Sequence, residues 1–220
     1  MHLAGDVSAE FEIVASSSGA DADIVSSRSV NLPSGSEDDA ALVLCVRMLR
    51  DDREAVAPTG WDLVHASASV EGAISVFARS VSGALSSVTL ENTGGDGRAA
   101  WVAYRITGAA LSEASWVEAD SAYNVHDAPD PPELTPSWGS AENIWLAVGS
   151  TRRANNTLTI PSGYANQVEA VTLDADSDTL HGRIASGDRL LTAASEDPAA
   201  FGTSGQTNRT FGVTIAVRAA

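Results

Sequence analysis

Near the N-terminus, Val7, Ala9, Phe11 and Ile13 alternate with Ser8, Glu10 and Glu12. At the C-terminus, Phe211, Val213, Ile215 and Val217 alternate with Gly212, Thr214 and Ala216. A period of two predicts half-buried β-strands, because successive side chains point to opposite faces. Between these ends lie unbroken apolar runs, Leu42–Val46 and Ile144–Val148. Strands are predicted over 41–49, 61–67, 73–81, 86–91 and 99–107, with a further short one within 24–32. Turn residues separate them: Ser16-Ser17-Ser18-Gly19 and Gly94-Gly95-Asp96-Gly97 break the pattern where the chain must reverse. No stretch holds a helical period; residues 109–119 have room for one or two helical turns. The pattern predicts an all-β fold, an antiparallel β-sandwich of jelly-roll type.

The same pattern occurs twice. Pro33, Arg50, Pro58, Gly60 and Trp61 recur 103 positions later as Pro136, Arg153, Pro161, Gly163 and Tyr164. With one inserted residue, Arg79 and Ser82-Gly83 align with Arg183 and Ser186-Gly187. The chain therefore divides into an N-terminal strand or arm (1–29), a first β repeat (30–108), an acidic, proline-rich linker (109–132) and a second β repeat (133–220). The N-terminal stretch has no evident counterpart in the second half. Each half alone has few large apolar side chains, so residues 30–220 are expected to form one sandwich around a shared core. In the Pro-Ser/Thr-Gly-aromatic elements, proline presets φ, glycine permits positive φ, and the aromatic begins the next strand on the core side.

Charge narrows the function classes. The chain has 29 acidic and 13 basic side chains, a formal charge of −16. That balance argues against a nucleic-acid partner. All the basic residues are arginine. Without lysine there is no P-loop lysine, no Schiff-base lysine and no kinase-type lysine. Cys45 is alone, within an apolar run, and reads as a buried thiol. No segment reaches the length of a membrane span, and the N-terminus lacks the basic and apolar regions of a signal peptide. The expectation is a protein made in a cytoplasm, with no membrane partner and no cofactor.

Candidate chemistry is sparse. Asp174, Asp176 and Asp178 have the alternate spacing of a calcium loop. Thr179 and Ala185 stand where an EF-hand needs glycine and glutamate, so an acidic hairpin tip is the simpler reading and no metal is assigned. His2, His65, His126 and His181 form no zinc motif. G-x-S-x-G is absent, and no catalytic residue is assigned. Trp61, Trp101 and Trp145 fall in predicted strands and are expected in the core. Trp116, Tyr123 and Trp138 lie at or near loops, where aromatics can stack on sugars or fill a partner's pocket. They are the candidate ligand-binding residues.

An apolar strand, a polar loop and Pro-Ser/Thr-Gly-Trp/Tyr leading into a further strand resemble a β-rich module of structural proteins of tailed bacteriophages and prophages. The carriers here are Leu42–Val46 with Pro58–Trp61, and Ile144–Val148 with Pro161–Tyr164. The resemblance implies a non-enzymatic virion component: a capsid decoration protein, or one associated with the tail or a tail fibre. Its partners would be other virion proteins and copies of itself. The alternative is a carbohydrate- or receptor-binding module at a fibre tip, contacting a host-surface glycan.

Overall fold

The computed structural model describes residues 9–35, 39–49, 53–69, 71–152, 155–172, 182–205 and 207–220. The first half contains β1 (Glu12–Ala20), β2 (Ser27–Asn31), β3 (Ala40–Met48), β4 (Ala55–Val56), β5 (Asp62–Ser69), β6 (Gly72–Val81), β7 (Ser87–Asn92) and β8 (Ala99–Thr107). The second contains β9 (Val117–Asn124), β10 (Ala141–Thr151), β11 (Leu158–Thr159), β12 (Ala165–Thr172), β13 (Gly182–Ala193), β14 (Gly202–Thr203) and β15 (Thr210–Arg218). No helix occurs among the described residues, so 109–119 carries none of the helical turns that its composition allowed. It runs through turns into β9.

Two large antiparallel sheets dominate, ordered β1-β8-β3-β6-β5 and β12-β13-β10-β15-β9. Read from its other edge, the second order is β9-β15-β10-β13-β12, which matches the first strand for strand. A small sheet, β2-β7-β4, covers one face of the first large sheet, and the pair β11-β14 covers the second. In the first half β5 joins β1, β3, β6 and β8 in the large sheet and β2, β4 and β7 form the facing one, an antiparallel β-sandwich of five strands on three. The molecule is thus four layers deep.

This layering explains the unbroken apolar runs. A strand covered on both faces has no polar side. In β3, Ala41, Val43 and Cys45 point into a central core, where they join Ile144, Leu146 and Val148 of β10. The alternate residues Leu42, Leu44 and Val46 point outward into a second core under the small sheet, with Val30 and Leu90. Trp145 and Ala147 point outward into a third core, with Leu158 and Phe201. A core between the large sheets joins residues of both halves, and each half has an outer core besides. Trp61, Trp101, Trp145 and Cys45 are all buried.

Strand pairing refines the internal alignment. The pairs β4/β11 and β5/β12 keep the 103-residue spacing. The spacing then changes in the next hairpin. Ser69 pairs with Gly72 in the first half, whereas Thr172 pairs with Gly182 in the second. Arg79 stands opposite Leu42, and Arg189 stands opposite Trp145. Arg79 therefore matches Arg189, and the alignment with Arg183 is corrected. A Cβ on Gly60 would lie 3.5 Å from the Arg79 guanidinium, and one on Gly163 would lie 3.7 Å from that of Arg189. Both glycines hold positive φ, 80° and 86°, in their Pro-x-Gly turns.

The N-terminal strand also has a counterpart. β1 is the edge strand beside β8, and β9 is the edge strand beside β15. Ser18 stands opposite Val102, and Ser121 stands opposite Val213. The segment 109–132 thus supplies a sheet edge. Its prolines Pro129 and Pro131 are buried, where the backbone of 130–131 packs on Gly212.

Candidate functional site

The two large sheets meet with β1 above β12 on one side and β5 above β9 on the other. Each side is a seam where strand edges of both halves come together. On the first, the Ser18 hydroxyl donates to the Glu169 carbonyl at 2.7 Å. On the second, His65 Nε2 and Ser121 Oγ lie 2.8 Å apart. Burial pushes the His65 pKa below 6.5, and the nearby Asp120 charge opposes this in part.

Beyond the His65–Ser121 contact, the second seam opens into a cleft of about 370 Å³. Asp62 and Val64 of β5 form one wall; residues 114–119, leading into β9, form the other. Trp116 lines this cleft and packs against the central core. Its backbone is fixed by the Arg218 N–H, which donates to the Trp116 carbonyl at 2.9 Å. Glu118 accepts from the Ser137 N–H at 3.0 Å and from the Ser137 hydroxyl. That pair of bonds fixes the carboxylate while leaving it acceptor capacity. Asp62 is exposed.

The three aromatic candidates do not form one site. Tyr123 lies at the far end of β9 from Trp116 and packs on Phe211, ring centroids 5.0 Å apart. Trp138 packs on the outer core of the second half, and its indole N–H donates to Asn143 Oδ1 at 3.0 Å. Trp116 and Trp138 thus associate with cores on opposite faces of one sheet. Asp62 and Glu118 were missed at the sequence level. Nothing in their local pattern separates them from the many other acids.

Other polar clusters are built into the scaffold. Arg47 is fully buried at the junction of the halves, its guanidinium 4.4 Å from the Phe211 ring centroid. It donates to the carbonyls of Ala73 (3.3 Å), Glu71 (3.4 Å) and Arg209 (3.3 Å). Burial lowers its pKa to about 9, with the Arg152 charge adding to the effect, so it remains a cation at neutral pH. Glu71 from the first half pairs with Arg152 and Arg209 from the second. Arg28 is held by Asp21 at 2.6 Å and by Asn92. A second cleft, about 440 Å³, lies between β1 and β2 above Trp101. Its inner carboxylate, Asp21, is already committed to Arg28 and to the Ala99 N–H. Burial drives the Cys45 pKa up to about 12, which describes an inert thiol.

Among the described residues, no group of three or more His, Cys, Asp or Glu side chains has metal-binding geometry. Asp174, Asp176 and Asp178 lie outside the described residues, as do His2, His181, Arg50 and Arg153. Among the described residues, no helix is long and apolar enough to cross a membrane. Compared with protein-family models, with curated proteins and with solved structures, the chain finds no match.

Proposed function

We propose that this chain is a non-enzymatic structural subunit of a phage-like particle, a capsid decoration or tail-associated protein that works through subunit contacts. The observation that carries the proposal is the four-layer build. Both large sheets have both faces covered, so the strand edges and a few exposed apolar side chains are what remains for partners. Edge strands present unpaired backbone groups that can extend into a neighbour's sheet. Three of the outermost strands of the large sheets are interrupted by register shifts: β1 at Ile13/Ala15, β5 at Leu63/His65 and β12 at Ala165/Val168. β9 pairs along its length without a shift, which makes it the most regular edge to extend. Leu63, Leu190 and Val56 are 53%, 55% and 40% exposed, and each could anchor a partner. The acidic surface keeps copies apart until specific contacts form. The matching strand orders support reading the two halves as copies of one unit.

Electron microscopy of particles purified from the source tests this. The expected result is density for the four-layer block at a repeated position on head or tail. Particles complete in every other component but lacking this chain would overturn the proposal.

A further inference from the structure

The chain has five tryptophans, and Trp116 differs from the rest. Trp61, Trp101 and Trp145 are buried in the outer cores. Trp138 has its indole N–H bonded to Asn143. Trp116 is neither fully buried nor, among the described residues, held through its indole N–H. It lies in the open part of a seam, in a cleft that Asp62 and Glu118 also line. The opposite seam places Glu12 at the corresponding position, one residue before the Ile13–Ile106 pair that matches Val117–Val217. The aromatic is therefore a departure from the pattern that the two halves share, and the shared packing does not require it.

We propose that the Trp116 cleft binds a neutral hexopyranose unit of a glycan. A pyranose ring has an apolar face of C–H groups and a rim of hydroxyls. An indole that packs on the core with one part and lines a cleft with another offers a rigid surface for the apolar face. Asp62 and Glu118 accept hydrogen bonds from the hydroxyls, and ionised carboxylates do so more strongly than neutral acceptors. Glu118 is already positioned by Ser137, so little ordering cost falls on binding. The volume lies within the range of small-ligand sites. The charge of −16 and the two acidic residues disfavour phosphorylated or sialylated sugars, so the ligand proposed carries no negative charge. This inference does not rest on the virion reading; a sugar site is equally usable on a particle or off one.

The test titrates the full chain with cellotriose, maltotriose, mannotriose and chitotriose, with 3′-sialyllactose as the anionic control. Binding is followed by isothermal titration and by the indole N–H resonances, with that of Trp116 assigned from Trp116→Phe. The expected result is millimolar or tighter binding of at least one neutral trisaccharide, with the Trp116 resonance shifting. Trp116→Ala should weaken it about tenfold, Asp62→Asn several-fold, and Trp138→Ala not at all. Trp116→Phe keeps an aromatic against the core and should weaken binding only partly, which covers the case in which Trp116→Ala does not fold. No neutral trisaccharide binding, binding that leaves the Trp116 resonance unmoved, or binding indifferent to both Trp116→Phe and Asp62→Asn overturns the proposal.

Discussion

The two outer cores occupy the same lattice positions and fill them differently. In the first half, Leu42 stands opposite Arg105; in the second, Trp145 stands opposite Ala216. One pair sets a medium side chain against a long one, and the other a very large one against a small one. Val46 and Leu90 fill the first outer core. At the matching positions stand Gly149 and Phe201, and a Cβ on Gly149 would meet the Phe201 ring at 2.8 Å. The Trp101 indole lies over Gly19 in the first half; in the second, Gly212 takes the tryptophan's place and the backbone of 130–131 packs there instead. The two halves fill equivalent positions of their sheets with different side chains. Cores tolerate such exchanges when the total volume and the binary pattern are kept.

The largest predicted effect comes from Gly212→Ala. Its Cβ would run into the Asp130–Pro131 backbone, which cannot rotate away, so a loss of about 3 kcal/mol is expected. Gly19→Ala meets a tryptophan ring, which has some freedom to shift, and should cost less. Equal losses in urea denaturation would break the distinction between backbone and side-chain obstruction. Arg47→Ser is next. It puts in the first half the residue type that Ser150 supplies at the corresponding place, and it removes a cation that ties Glu71 and Ala73 to Arg209 across the halves. About 2–3 kcal/mol should be lost, with the halves unfolding less cooperatively in calorimetry. A single sharp transition with unchanged midpoint would show that the junction does not depend on it.

Gly149→Val should cost about 2 kcal/mol alone through overpacking. Combined with Phe201→Leu, which makes the second half resemble the first, it should recover about 1 kcal/mol as a coupling in a double-mutant cycle. Strict additivity would mean that the two positions do not share one volume. The smallest effect concerns the seams. Val168 occupies the position in β12 that His65 occupies in β5. The folded chain holds His65 below its ordinary pKa of 6.5, so as pH falls through 6.5 the unfolded chain takes up a proton first. Stability should decline with falling pH across that window and then level off once both states are protonated. His65→Val should flatten the histidine part of this profile, a change of under about 1 kcal/mol at a half-buried site.

The two Pro-x-Gly turns were the most legible part of the sequence, whereas Ser16-Ser17-Ser18-Gly19, expected as a turn, runs inside β1 in register with β8. Pro58-Thr59-Gly60-Trp61 and Pro161-Ser162-Gly163-Tyr164 form the turns that their residues require, with Trp61 N–H bonded to the Pro58 carbonyl and Tyr164 N–H to that of Pro161. Proline φ and glycine's positive φ are local properties, so they can be read locally. Part of the internal alignment was not legible. The change of spacing falls inside the hairpin between β12 and β13, and an insertion there leaves no trace except a shift of register. Arg183 offered a plausible match for Arg79, and only pairing across the sheet identified Arg189. β9 was hidden for a related reason. Glu118, Asp120 and Ser121 make its sequence too polar for a core strand, and an edge strand does not need to be otherwise.

The binary pattern and the turns thus determined an all-β chain, the positions of its most apolar strands and the burial of Trp61, Trp101 and Trp145, because these depend on a few consecutive residues. Trp116 was a visible candidate for the same reason. Tertiary structure alone decided that the two large sheets pack face to face, that Asp62, Trp116 and Glu118 line one cleft, and that Tyr123 and Trp138 stand apart from it. Those relations join residues far apart in sequence across two separate sheets, and no local preference encodes them. They follow from burying four sheet faces at once, a condition that only the folded chain as a whole can satisfy.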